Sequence, residues 1–117
     1  MKLHFAAATL ALGSLLALDA AAAGNIENGK ALTAKYACAS CHGADFNSPI
    51  QPTYPKLAGQ HADYLEHALV SYKRGSDGMN GRGNAIMGGM AKPLSHQEMV
   101  DIAAYLSSLH GSLAQVR

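Results

Sequence analysis

The chain's two cysteines stand three residues apart and are followed at once by a histidine, in the run Cys38-Ala39-Ser40-Cys41-His42. This Cys-x-x-Cys-His pattern limits the fold more than any other feature, because it is the attachment signature of a c-type haem. Two thiols add across the two vinyl groups of the porphyrin and become thioethers. Two intervening residues let both sulfurs reach one face of the same ring. His42 is then placed to offer an imidazole to the iron. A chain anchored to such a group must wrap it, and its other elements must supply the walls and whatever holds the far side of the iron.

The competing readings of the cysteines are weaker. Two cysteines in an exported protein could form one disulfide, and a Cys-x-x-Cys pair could be a dithiol redox site. Both leave His42 unexplained, and the strand–helix context of a thioredoxin-like site is missing from the pattern. A structural zinc site needs two further ligands at finger-like spacing, which His61 and His67 do not supply.

Residues 1–23 read as a secretory signal peptide. Lys2 forms the basic start, residues 5–18 are almost unbroken apolar, and Ala21-Ala22-Ala23 gives a small-residue cleavage site. The apolar run is too short to span a bilayer and Asp19 follows it, so the expectation is cleavage and no permanent membrane span. The mature domain is then residues 24–117, which is small for a self-sufficient core. The chain has no Trp, and of its two Phe one lies in the leader. A central haem would supply the missing apolar contact. The formal net charge is +1 with no basic run, which argues against nucleic acid as a partner.

Residues 26–37 have helix character, with Asn25 as a cap and Gly29 as a point where another helix could approach closely. The helix leads directly into the Cys-x-x-Cys-His loop. Residues 43–59 read as loop, because Pro49, Pro52 and Pro55 forbid a long helix or a central strand. A second helix covers residues 60–74, where Tyr64, Leu65, Ala68, Leu69 and Tyr72 form an apolar stripe and Gly75 is the stop. Residues 76–93 are Gly-rich and read as irregular. The last helix covers residues 95–110. Ser95-His96-Gln97-Glu98 has the form of a capping box, Met99, Ile102, Ala103, Leu106 and Leu109 make the buried stripe, and Gly111 ends it. No segment alternates at period two, so no sheet is expected.

The far side of the iron decides what kind of chemistry is open. The candidate ligands are Met79, Met87, Met90 and Met99, with His61, His67, His96 and His110. Met99 falls on the apolar stripe of the last helix and reads as core. His61 and His67 do not share a helix face, His96 sits in an exposed first turn, and His110 lies at a helix end, where the dipole favours a cation. Met87 and Met90 lie just before the last helix, and Gly88-Gly89 after Met87 lets backbone approach a flat group. A thioether is a soft, neutral donor that favours Fe(II) and raises the reduction potential.

Taken together, these residues resemble a class I cytochrome c over essentially the whole mature chain. The likeness is nearest to either half of the small two-haem cytochromes c of bacterial periplasm and to their one-haem relatives. It is carried by Cys38 to Asp45, by Tyr54-Pro55-Lys56-Leu57-Ala58-Gly59-Gln60, by Met87 seven residues before Leu94-Ser95, and by Asp101-Ile102-Ala103-Ala104-Tyr105-Leu106. The resemblance implies an all-α fold of three main helices around one covalent haem c. It implies Cys38 and Cys41 as thioether cysteines and His42 as proximal iron ligand. It further implies a hydrogen bond from His42 to the Pro55 carbonyl, Leu57 packed on the haem, and Met87 rather than Met90 as distal ligand. Gly29 and Tyr105 would mark the crossing of the first and last helices, with Tyr36 as the aromatic that usually lies near Thr33.

The function so implied is one-electron transfer in the periplasm, not catalysis. Expected partners are a quinol-oxidising complex, a terminal oxidase or reductase, or a dehydrogenase, met in transient complexes. Two classes compete: a peroxidase or gas sensor with a labile sixth ligand, and a cytochrome subunit held permanently in a dehydrogenase complex.

Overall fold

The computed structural model describes residues 23–114, so the expected leader, except Ala23, lies outside the described residues. Among the described residues the secondary structure is helical throughout. It comprises α1 (Ile26–Lys35), α2 (Ala39–His42), α3 (Ala62–Arg74), α4 (Ala85–Ala91) and α5 (His96–Ser108). The three longer helices are those expected, each within two residues of its anticipated bounds. None is long and apolar enough to cross a membrane.

Local capping sets where these helices begin. The Asn25 side chain accepts from the Asn28 N–H at 2.9 Å and starts α1. Ser95 and Glu98 form a reciprocal capping box at the start of α5. α3 stops at Gly75, whose φ of +72° ends the helix.

α1 crosses α5, and α3 packs on both α5 and α4. The α1–α5 crossing is close because Gly29 has no side chain. A polar clamp lies beside it. The Asp101 carboxylate, 3% exposed, accepts from Asn25 N at 2.8 Å, Asn28 Nδ2 at 2.6 Å and Gln97 Nε2 at 2.9 Å. A buried carboxylate is tolerated only when its oxygens are satisfied in this way. Leu32, Phe46, Leu65, Leu94, Met99, Ile102 and Leu106 complete the core.

Four details depart from the sequence reading. Residues 85–91 are helical despite Gly88 and Gly89. Asn84 caps α4 by accepting from Met87 N, and the helix packs along α3. Capping and packing outweigh the cost of about 1 kcal/mol that each interior Gly imposes. The attachment motif is a short helix, α2, rather than loop. Tyr64 is 50% exposed and lies off the buried stripe of α3. The aromatic packed on Tyr105 is Phe46, edge-on at 6.1 Å, whereas Tyr36 bonds Glu98 through its hydroxyl at 3.3 Å. Phe46 is buried at φ +53°, a left-handed conformation unfavourable for a bulky residue. Its carbonyl accepts from both Leu57 N and Ala58 N, which holds that conformation in place.

Candidate haem site

The site is built outward from α2. One helical turn places Cys38, Cys41 and His42 together, with His42 N donating to the Cys38 carbonyl at 3.1 Å. Gly43 then leaves the helix at φ +87°. A Cβ there would fall 2.2 Å from the Ser48 carbonyl, so only Gly permits this exit. No disulfide joins the two cysteines. Burial pushes the Cys38 thiol above its ordinary value, against a smaller opposing effect of a backbone hydrogen bond.

His42 is 6% exposed, and its Nδ1 lies 2.9 Å from the Pro55 carbonyl oxygen. A carbonyl only accepts, so Nδ1 carries the proton and Nε2 keeps its lone pair for a metal. A ligating histidine is normally held through its other nitrogen in this manner, which fixes the ring and strengthens it as a donor.

A cavity of about 320 Å³ opens beside these groups. Cys38, Cys41, His42 and Pro55 line it from the motif side, and Leu57, Leu65, Leu69, Ile102 and Leu106 supply apolar wall. Met87 and Met90 both reach it from α4, as do Asn84 and Ile86 from the same segment. The lining contains no Lys, Arg, Asp or Glu. Thiols, an oriented imidazole, thioethers and apolar walls in one cleft form a donor set suited to a haem.

The remaining sequence candidates lie elsewhere. Met99 is 2% exposed in the core, and Met79 is exposed on the loop before α4. His61 precedes α3, His67 bonds back to the Asp63 carbonyl, and His96 Nε2 pairs with Glu66 at 2.9 Å on the surface. None of these, nor His110, lines the cavity. Sequence reasoning missed Asn84 and the walls contributed by Tyr72 and Ile86. The Asn84 signal was present, since Asn before a short apolar run is a capping pattern. Among the described residues no cluster of three His, Cys, Asp or Glu side chains could hold a metal ion.

Comparison with known proteins bears directly on this site. The family profile described as Cytochrome c matches residues 26–110, from the first turn of α1 to just beyond α5. The chain belongs to the cytochrome c family. Membership of this family implies a covalently bound haem c with its iron, and Cys38 and Cys41 fit its attachment. The chain is 48% identical over 97 residues to cytochrome c4 of Stutzerimonas stutzeri, covering 79% of this chain and 44% of that protein. It is 46% identical over 72 residues to cytochrome c-554(548) of Halomonas halodenitrificans, covering 61% of this chain and 82% of the relative. The crystal structure of reduced recombinant cytochrome c4 from Pseudomonas stutzeri superposes with a TM-score of 0.68 at 45% identity. That match covers 77% of this chain and 48% of the solved one. The chain thus spans about half the length of the cytochrome c4 relatives it matches, and its fold is the class I cytochrome c fold.

Proposed function

We propose that this cytochrome is a periplasmic one-electron carrier whose haem iron is held by His42 and Met87. The supporting observation is the composition of the cavity, in which one wall presents an imidazole with a free Nε2 and another presents methionine thioethers. When bound there, the haem supplies an Fe(II)/Fe(III) couple. The chain's part is to hold it. Cys38 and Cys41 fix the porphyrin covalently, and the Pro55 carbonyl orients His42. Apolar walls exclude water, which together with a soft thioether favours the reduced state and a relatively positive potential.

Met87 is the better candidate of the two methionines. Its backbone is fixed by the Asn84 cap and its side chain is half-buried, whereas Met90 is 37% exposed one turn further along α4. Ligands that stay in place in both oxidation states suit electron transfer rather than substrate turnover. Partners of the expected kind are a quinol-oxidising complex as donor and a terminal oxidase, reductase or dehydrogenase as donor or acceptor. A cavity lined without Lys, Arg, Asp or Glu suits brief, weak docking.

The test is a redox titration followed optically in the holoprotein. The weak far-red band of iron–methionine ligation should be present in the oxidised protein, lost in Met87→Ala and kept in Met90→Ala. A high-spin ferric spectrum in the unmodified protein would instead favour a labile sixth position of the peroxidase or gas-sensor kind.

A further inference from the structure

Arg82 ties the loop between α3 and α4 to α3 through both its side chain and its backbone. The Arg82 guanidinium carbon lies 5.5 Å from the Tyr64 ring centroid and 5.4 Å from that of Tyr72. Its Nη2 donates to the Tyr64 hydroxyl at 3.3 Å. Its backbone N–H donates to the Ser71 carbonyl at 2.9 Å. Arg82 therefore lies across two tyrosines spaced two turns apart on one face of α3.

The start of α4 lies only two residues beyond this contact. There Asn84 accepts from Met87 N at 2.9 Å through its side chain, and its carbonyl accepts from Gly88 N at 2.8 Å. Those two bonds start α4 and set the direction in which Met87 leaves the backbone. Tyr72, Asn84 and Met87 all line the haem cavity. From Gly75 to Gly83 the chain is rich in Gly and lacks helix, so the path into α4 depends on the Arg82 contacts together with the Asn84 cap and the packing of α4 on α3. Two short α4 turns containing Gly88 and Gly89 have little intrinsic stability of their own.

We propose that Arg82 is a positioning residue for Met87, latching the start of α4 onto α3 across the faces of Tyr64 and Tyr72. The proposal rests on Met87 being the distal ligand. Arginine suits the role because a planar, weakly hydrated guanidinium stacks on aromatic faces while still donating hydrogen bonds. Lysine has the charge but neither the plane nor the fork. With the latch in place the state in which Met87 has swung away is rare. Without it that state gains population, and a small ligand competing for the same position binds more tightly in proportion.

The experiment measures imidazole binding to the oxidised holoprotein by optical titration, in the parent and in Arg82→Leu, Arg82→Lys and Tyr64→Leu. Arg82→Leu should raise the apparent imidazole affinity by about tenfold, equivalent to about 1.4 kcal/mol. Arg82→Lys should recover only part of the difference. Tyr64→Leu, at a half-exposed position, should shift affinity in the same direction by a smaller factor, and it tests the latch even if Arg82→Leu does not fold. His96→Ala is the control, since it breaks a surface tie between α5 and α3 away from the loop. It should leave imidazole affinity unchanged.

Unchanged affinity in Arg82→Leu, or in Tyr64→Leu should the first variant not fold, overturns the proposal. So does an equal rise in His96→Ala, which would mean general loosening. The Met87 reading fails separately: the far-red band would then survive in Met87→Ala, whatever Arg82 does.

Discussion

Gly29 of α1 lies so close to Asp101 of α5 that a Cβ on it would fall 2.0 Å from the Asp101 carbonyl oxygen and 2.8 Å from Tyr105 Cβ. Neither neighbour is a flexible side-chain tip, so the helices themselves would have to separate. Gly29→Ala should destabilise the holoprotein by about 1–3 kcal/mol, the usual cost of overpacking. Thermal melting followed by far-ultraviolet circular dichroism checks this. The far-red iron–methionine band should survive, because none of Gly29, Asp101 and Tyr105 lines the cavity. An unchanged melting temperature would mean that the helices can part at no cost.

The Asp101 carboxylate beside that crossing makes stability depend on pH. Desolvation raises its pKa, but hydrogen bonds from Asn25, Asn28 and Gln97 outweigh this and hold it below the ordinary carboxylate value. A group whose folded pKa is depressed contributes stability that is present above its unfolded pKa of about 3.9 and is lost as pH falls through the folded value. Urea midpoints should therefore fall as pH drops from about 5 toward 3. Asp101→Asn should be less stable at neutral pH, since its amide turns a donor toward groups that also donate. Its acid dependence should be flatter. Parallel pH profiles for the two proteins would exclude this clamp as a source of the acid sensitivity.

Much of this arrangement is legible in the residues. The attachment motif names its own cofactor, and the Ser95-to-Glu98 capping box and the stripe from Met99 to Leu106 define α5 without tertiary information. Local signals fail where tertiary contacts decide. Gly88 and Gly89 argue against a helix, yet α4 forms because Asn84 caps it and α3 supports it. Phe46, in a Pro-rich loop, carries no periodic pattern that would mark it as core. It becomes the partner of Tyr105 only when the loop folds back and its carbonyl is used by Leu57 and Ala58. Arg82 stands in a Gly-rich stretch without a motif, and its stacking on Tyr64 and Tyr72 depends on the path of the loop. The choice between Met87 and Met90 is legible only through family resemblance, since both reach the cavity.

Removing the thiols should separate covalent retention from folding. In Cys38→Ala with Cys41→Ala, haem should be lost to acid–acetone extraction, whereas the parent retains it. Without haem the apolar wall of Leu57, Leu65, Leu69, Ile102 and Leu106 faces water. A small domain has only about 5–15 kcal/mol of net stability to set against that exposure. The apo-protein is accordingly expected to show no cooperative melt. A sharp two-state transition without haem would contradict the dependence of this core on its cofactor.

Met99 and Met87 should respond to the same substitution in opposite ways. Met99 is 2% exposed and contributes to the core rather than to the cavity lining. Met99→Ala removes packed atoms from a site that can collapse only partly, at a cost of about 2–5 kcal/mol. Its iron–methionine band and reduction potential should stay close to those of the parent while the protein melts earlier. Met87→Ala should do the reverse. The band vanishes and the potential falls as the soft donor is lost, with a smaller change in melting temperature because Met87 is only half-buried. Denaturant midpoints and potentiometric titrations on the two variants together measure both axes. Loss of the band in Met99→Ala would assign the distal position to the core methionine and remove Met87 from the iron.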